Sequence, residues 1–103
     1  MGSMSNLLFS YGTLNLEEVQ RYLWGEAKRG RVRQLNDYRL NSYNNNIMFI
    51  TKEFGETVAG KVYQLTPEQM ERTDRYEGDA YERKLVRIDD ESVYIYVQTK
   101  ESK

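Results

Sequence analysis

The chain has no histidine and no cysteine, so imidazole and thiol chemistry are closed to it. Proton transfer must then fall to a carboxylate or to one of its nine tyrosines. The segment Thr66-Pro-Glu-Gln-Met-Glu-Arg-Thr-Asp-Arg-Tyr-Glu-Gly78 sets one acid, Glu77, in the last turn of a short helix that stops at a glycine. Met70, Thr73 and Glu77 recur at i, i+3 and i+7, which aims Glu77 along the face looking toward the protein body; Glu71, Asp74 and Arg75 point elsewhere. The negative end of the helix dipole and partial burial both disfavour the carboxylate and raise its pKa. An acid poised near neutrality suits a proton shuttle. The competing reading is a solvated glutamate paired with Arg83 or Arg75.

A second segment, Leu7-Leu-Phe-Ser-Tyr-Gly-Thr-Leu14, reads as a strand that runs into Gly12 and then into a helix start. Such a turn points consecutive backbone N–H groups one way, where they can hold a carboxylate or phosphate, or nothing at all. One glycine is a weaker signal than a Walker-type loop, which is absent. Tyr81 and Arg83 open a later strand with side chains on one face. Arg83 suits a bidentate contact, either with a ligand or structurally with Glu77, Asp74 or Asp79. The basic run Lys28-Arg-Gly-Arg-Val-Arg33 reads as a solvated strand start, because the formal net charge of -1 offers no wider basic face for nucleic acid.

At 103 residues there is room for one domain, placed at residues 5–100, with Met1-Gly2-Ser3 read as an expression remnant ahead of Met4. Without thiolate or imidazole ligands a structural zinc is not expected, and no other metal site is read. The apolar runs Leu7 to Phe9 and Ile47 to Ile50 are far too short to span a bilayer, and no basic-then-apolar leader opens the chain. A soluble, cytoplasmic protein is the expectation. The tyrosines fit half-buried strand positions, with the two nearest the segments above singled out.

Leu16 to Trp24 reads as a helix with Asn15 as N-cap and Leu16, Val19, Tyr22 and Leu23 on or near its inward face; Gly25 ends it. Strands follow around Arg31 to Leu40 and at Ile47 to Thr51, with Asn44-Asn45-Asn46 as a turn between them. Gly55-Glu56 reads as a further turn before the alternating strand Val58 to Leu65. Thr66 and Gln69 form a capping-box pair, with Pro67 at the first helical position. Lys84 to Ile88 and Val93 to Gln98 complete the order β-α-β-β-β-α-β-β. That order predicts an α+β domain: a small mixed, largely antiparallel β-barrel with two main helices.

Phe9-Ser-Tyr-Gly-Thr-Leu14, Val58-Ala-Gly-Lys-Val-Tyr-Gln-Leu65 and Asp74-Arg-Tyr-Glu-Gly78 with Tyr81-Glu-Arg83 resemble, in order and spacing, the gamma-glutamylcyclotransferase-like family, including its AIG2-like and gamma-glutamylamine cyclotransferase branches. The likeness runs from about Leu7 to Val97. It implies a pocket at one end of the strands in which Tyr11, Gly12, Thr13 and Leu14 hold a gamma-glutamyl head, Tyr81 lines the wall, and Glu77 is catalytic. The implied reaction releases 5-oxoproline from a small-molecule gamma-glutamyl substrate, with no cofactor, nucleic acid or membrane and with a monomer or weak homodimer as the working form. Because the substrate's own α-amine is the nucleophile, a chain without histidine or cysteine can support it. A binding module that keeps the pocket without turnover is the alternative, and a tyrosine-rich interaction domain is a third. Three departures stand out: Thr73 where an aliphatic residue is usual, predicting looser packing under the helix; Asn44-Asn45-Asn46 in place of a more apolar stretch, leaving the leaving group open; and an end soon after Val97, without the extension that covers the pocket in larger relatives.

Overall fold

The computed structural model describes residues 6–43 and 47–99. Its centre is β1 (Leu7–Ser10), where Leu8, Phe9 and Ser10 are all buried. A strand covered on both faces reads as an unbroken apolar run, which is what Leu7-Leu8-Phe9 is. β1 pairs antiparallel with β3 (Ile47–Gln64) and parallel with β5 (Glu91–Gln98). β2 (Arg31–Tyr43) adds to the far side of β3, and β4 (Tyr81–Ile88) to the far side of β5, giving the order β2-β3-β1-β5-β4. Gly60 lets β3 lie close against β1: a Cβ there would come within 2.4 Å of the Ser10 carbonyl oxygen and 2.6 Å of the Phe9 ring.

Alternation along the strands divides the core in two. Phe9, Leu35, Tyr38, Ile50, Val58, Val62, Ile88, Val93 and Ile95 pack on the inner, concave face. Leu8, Tyr63, Leu65 and Tyr96 point the other way and bury Leu14, Leu23, Trp24 and Met70 from the helical layer. Each fully buried large side chain contributes about 1.5–3 kcal/mol relative to exposure, so these two clusters supply most of the drive to fold.

The sheet curls without closing. Among the described residues its outer strands, β2 and β4, share no ladder. Side chains bridge the gap at one end, where Arg31 of β2 reaches Glu91 at the start of β5 at 3.1 Å and Arg33 reaches Asp89 in the β4–β5 turn at 3.6 Å, so the basic run becomes a paired edge. At the other end the Tyr81 hydroxyl donates to the Met48 carbonyl at 3.3 Å. The α+β class and the two helices stand as expected; the barrel is an open, curled sheet of five strands. The expected turn at Gly55-Glu56 is instead a bulge inside the single long strand β3. The register jumps from Asn36 opposite Thr57 to Tyr38 opposite Lys52, Asp37 and Gly55 take positive φ, and Gly55 N–H donates to Asp37 Oδ1 at 3.0 Å. The Asn44-Asn45-Asn46 turn lies outside the described residues.

Both helices lie on the convex face. α2 (Pro67–Glu77) starts with the capping box: Gln69 N–H donates to Thr66 Oγ1 at 3.1 Å, and Thr66 N–H donates to Gln69 Oε1 at 2.9 Å. α1 (Glu17–Trp24) ends as expected at Gly25, whose φ of 80° is left-handed. Its start differs from expectation. A single 3₁₀ turn, Thr13–Asn15, precedes it, Leu16 holds the N-cap position, and Leu16 and Tyr22 are exposed. Asn15 is drawn away to the sheet: its amide donates to the Ser10 carbonyl at 3.2 Å and its Oδ1 accepts from the Tyr63 hydroxyl at 2.9 Å. No helix among the described residues is long and apolar enough to cross a membrane.

Candidate functional site

Where β1 ends and α2 ends, a cavity of about 420 Å³ opens to solvent. It is lined by Phe9 and Ser10 at the end of β1, by Tyr11 and Gly12 just beyond it, and by Thr13 and Leu14 of the 3₁₀ turn. α2 contributes Tyr76 and Glu77, β3 contributes Met48, β4 contributes Tyr81, and β5 contributes Tyr96. All six residues singled out from the sequence, Tyr11, Gly12, Thr13, Leu14, Glu77 and Tyr81, therefore line one space.

Helix periodicity puts Glu77 there. Met70 and Thr73 are 2% and 0% exposed, and Glu77, one turn further on, follows the same stripe to the cavity. Gly78, with φ of 77°, then turns the chain out of the helix, and its N–H donates to the Asp74 carbonyl. Burial pushes the Glu77 carboxyl up to about 7. Among the described residues no ion pair forms with it, so both expected partners are ruled out in this structure: Arg75 makes none there, and Arg83 pairs with Asp74 at 3.2 Å. Asp74 itself, read as pointing away, is turned onto the sheet, where it accepts from the Tyr96 hydroxyl at 2.6 Å.

Four phenols, those of Tyr11, Tyr76, Tyr81 and Tyr96, share the space with Glu77. Tyr11 donates to the Tyr96 carbonyl at 3.0 Å, which leaves the lone pairs of its oxygen as acceptors. Burial raises the pKa of Tyr11, Tyr81 and Tyr96, and the nearby Glu77 raises each of them further. None of the described residues lining the cavity is basic. The result is a partly apolar pocket whose oxygens stabilise a cation better than an anion along the Glu77 wall.

The opposite polarity comes from the backbone turn. Within Thr13–Asn15 the first internal hydrogen bond is from Asn15 N–H to the Gly12 carbonyl, so the N–H groups of Thr13 and Leu14 precede any acceptor of the turn. A Cβ on Gly12 would meet nothing within 4 Å, so the protein leaves that position open. Thr13 Oγ1 and the Tyr76 hydroxyl share a hydrogen bond at 3.4 Å across the rim, linking the turn to α2. Among the described residues no group of three or more acids is arranged to hold a metal ion.

The sequence reading missed Tyr96, Met48, Tyr76 and Asp74. The i, i+4 step from Met70 would have found Asp74 on the inward face; Tyr96 and Met48 carry no local signal, because strand order brings them in. The looser packing expected under Thr73 is also corrected. Thr73 is fully buried, accepts from the Trp24 indole at 2.8 Å and donates to the Gln69 carbonyl at 2.7 Å.

Residues 8–103 match the model of a family described as gamma-glutamyl cyclotransferase, AIG2-like. The fold is similar to that of the Arabidopsis thaliana protein At5g39720.1, with a TM-score of 0.82 and 22% identity over 95% of this chain and 71% of that one. A solved protein described as gamma-glutamyl cyclotransferase is similar at a TM-score of 0.78 and 22% identity, over 93% of this chain and 68% of its own. The Pyrococcus horikoshii protein PH0828 is similar at a TM-score of 0.77 and 19% identity, over 96% and 82%. No curated protein matches the sequence significantly.

Proposed function

The chain belongs to the gamma-glutamyl cyclotransferase, AIG2-like family, and on that premise we propose that it releases 5-oxoproline from a gamma-glutamyl amine or gamma-glutamyl amino acid. One observation carries this reading: Glu77, without an ion pair among the described residues and held up to about 7 by burial, shares a cavity of about 420 Å³ with the Tyr11–Leu14 turn.

The two ends of that cavity match the two charges of a glutamyl head. The N–H groups of Thr13 and Leu14 take the α-carboxylate, in the space that Gly12 leaves open. The α-ammonium lies toward Glu77 and the Tyr11 oxygen, where no basic side chain among the described residues competes. Held this way, the amine reaches its own γ-carbonyl intramolecularly, and orientation supplies much of the acceleration.

Proton bookkeeping then needs one carboxylate. The ammonium, with a pKa of about 8 or somewhat above, gives a proton to ionised Glu77, whose own value lies close enough for the transfer to run both ways. The free amine attacks, a ring C–N bond forms, and the γ-carbonyl becomes an oxyanion; of the Thr13 and Tyr76 hydroxyls, the one that accepts in their shared bond keeps a proton to donate to it. As the old C–N bond breaks, Glu77 returns its proton to the leaving nitrogen. The second proton lost from the ring nitrogen, as it becomes a lactam, is taken up by the released amine.

The test is incubation with a panel of gamma-glutamyl amines and amino acids, with 5-oxoproline measured by mass spectrometry. Product from at least one compound is expected. Thermal stabilisation by gamma-glutamyl compounds without product would replace this reading by that of a binding module.

A further inference from the structure

Glu77 is one turn beyond Asp74 on α2, and both face the sheet. Arg83, on β4, is the cation nearest to this pair in the ion-pair network, and it is fixed twice. Its guanidinium bonds Asp74 at 3.2 Å and lies 4.6 Å from the centre of the Tyr94 ring. Asp74 is fixed in turn by the Tyr96 hydroxyl at 2.6 Å. The remaining described titratable groups lining the cavity with Glu77 are phenols, Tyr11 just after β1, Tyr81 from β4, Tyr96 from β5 and Tyr76 from its own helix; the exposed Asp79 follows in the 3₁₀ turn after it. Among the described residues, Arg83 is thus the cation that the ion-pair network ties to Asp74, one turn before Glu77.

We propose that Asp74 is a positioning residue that sequesters Arg83, so that no cation pairs with Glu77. An ion pair at Glu77 would hold it as a carboxylate and cost it the ability to carry a proton. The 2.6 Å bond from Tyr96 anchors Asp74 for this task, and the Tyr94 ring gives the guanidinium a second contact that favours its place beside Asp74. This inference rests on Glu77 being the proton carrier of the proposed reaction, but the electrostatic insulation is measurable without turnover.

The experiment follows the ¹³C shift of the Glu77 carboxyl by NMR as pH is varied. In Asp74→Asn, which keeps an acceptor for the Tyr96 hydroxyl, the released Arg83 pairs with Glu77 and its titration falls by about one unit or more. The double variant Asp74→Asn, Arg83→Gln returns the titration to near the wild-type value. An unchanged titration in Asp74→Asn, or a double variant that still titrates low, overturns the proposal. Should Asp74→Asn fail to fold, Arg83→Gln alone decides: sequestered, its loss moves Glu77 by no more than a few tenths of a unit, whereas a rise of about one unit or more means that Arg83 already acts on Glu77 past Asp74. Titrations as described in a protein that releases no 5-oxoproline support the insulation while refuting the reaction.

Discussion

The Trp24 indole N–H donates to the Thr73 hydroxyl at 2.8 Å, and both groups are buried where α1 crosses α2. A hydroxyl stands here because a buried indole N–H needs an acceptor, and Thr73 can supply one while passing its own proton to the Gln69 carbonyl. The same stripe of α2 carries Glu77, so this bond also fixes the helix that aims the acid.

Thr73→Val keeps the shape and removes the acceptor. Leaving the indole unsatisfied is expected to cost about 1–3 kcal/mol, read as a lower midpoint in urea unfolding with the slope unchanged. Trp24 is the single tryptophan, so its fluorescence reports the same site directly. An unaltered midpoint would mean that the indole finds another partner.

Glu77 should weaken the fold while it enables the chemistry. Its folded-state value of about 7 lies above the ordinary 4.5, so the native state binds the proton more tightly than the unfolded chain does. Below pH 4.5 both states are protonated and no penalty exists. The penalty grows as pH rises through the window to 7, and is complete above it. Glu77→Gln removes it, and is expected to stabilise the protein at pH 8 by about 1–3 kcal/mol, allowing for water that still reaches the side chain, with little change at pH 4. Thermal melts of both proteins across that range check the sign.

Gly12 separates ligand space from folding. Because a Cβ there meets no protein atom within 4 Å, Gly12→Ala should melt within about 0.5 kcal/mol of wild type. If the α-carboxylate of the substrate sits in that space, the same change should raise KM or abolish binding. Isothermal titration with a gamma-glutamyl compound, alongside a melt, separates the two effects.

How much of this was legible in the sequence depended on how local each signal was. α2 and the orientation of Glu77 could be read because Thr66, Pro67, Gln69 and Gly78 set the helix ends within one segment. The β1 turn was readable for the same reason, and together they gave most of the pocket wall. Gly55 misled because its φ of 91° suits a turn, yet Asp37 captures its N–H and the ribbon resumes as one strand. Asn15 is a good cap by propensity, but the Tyr63 hydroxyl, 48 residues away, claims its side chain. Tyr96 and Met48 reach the pocket only through strand order, with β5 laid parallel to β1 and β3 antiparallel to it, which no local pattern encodes.

That the Glu77 carboxylate carries the proton from the α-amine to the leaving group is the central claim. Its most direct test is 5-oxoproline release by wild type and Glu77→Gln side by side at pH 8, on a gamma-glutamyl compound that both bind. Wild type should turn over, with a rate that falls as pH drops through about 7 as Glu77 takes up its proton. Glu77→Gln should bind with similar affinity and lose about 10²–10⁴-fold in rate. Release by the glutamine variant at the wild-type rate would contradict the account.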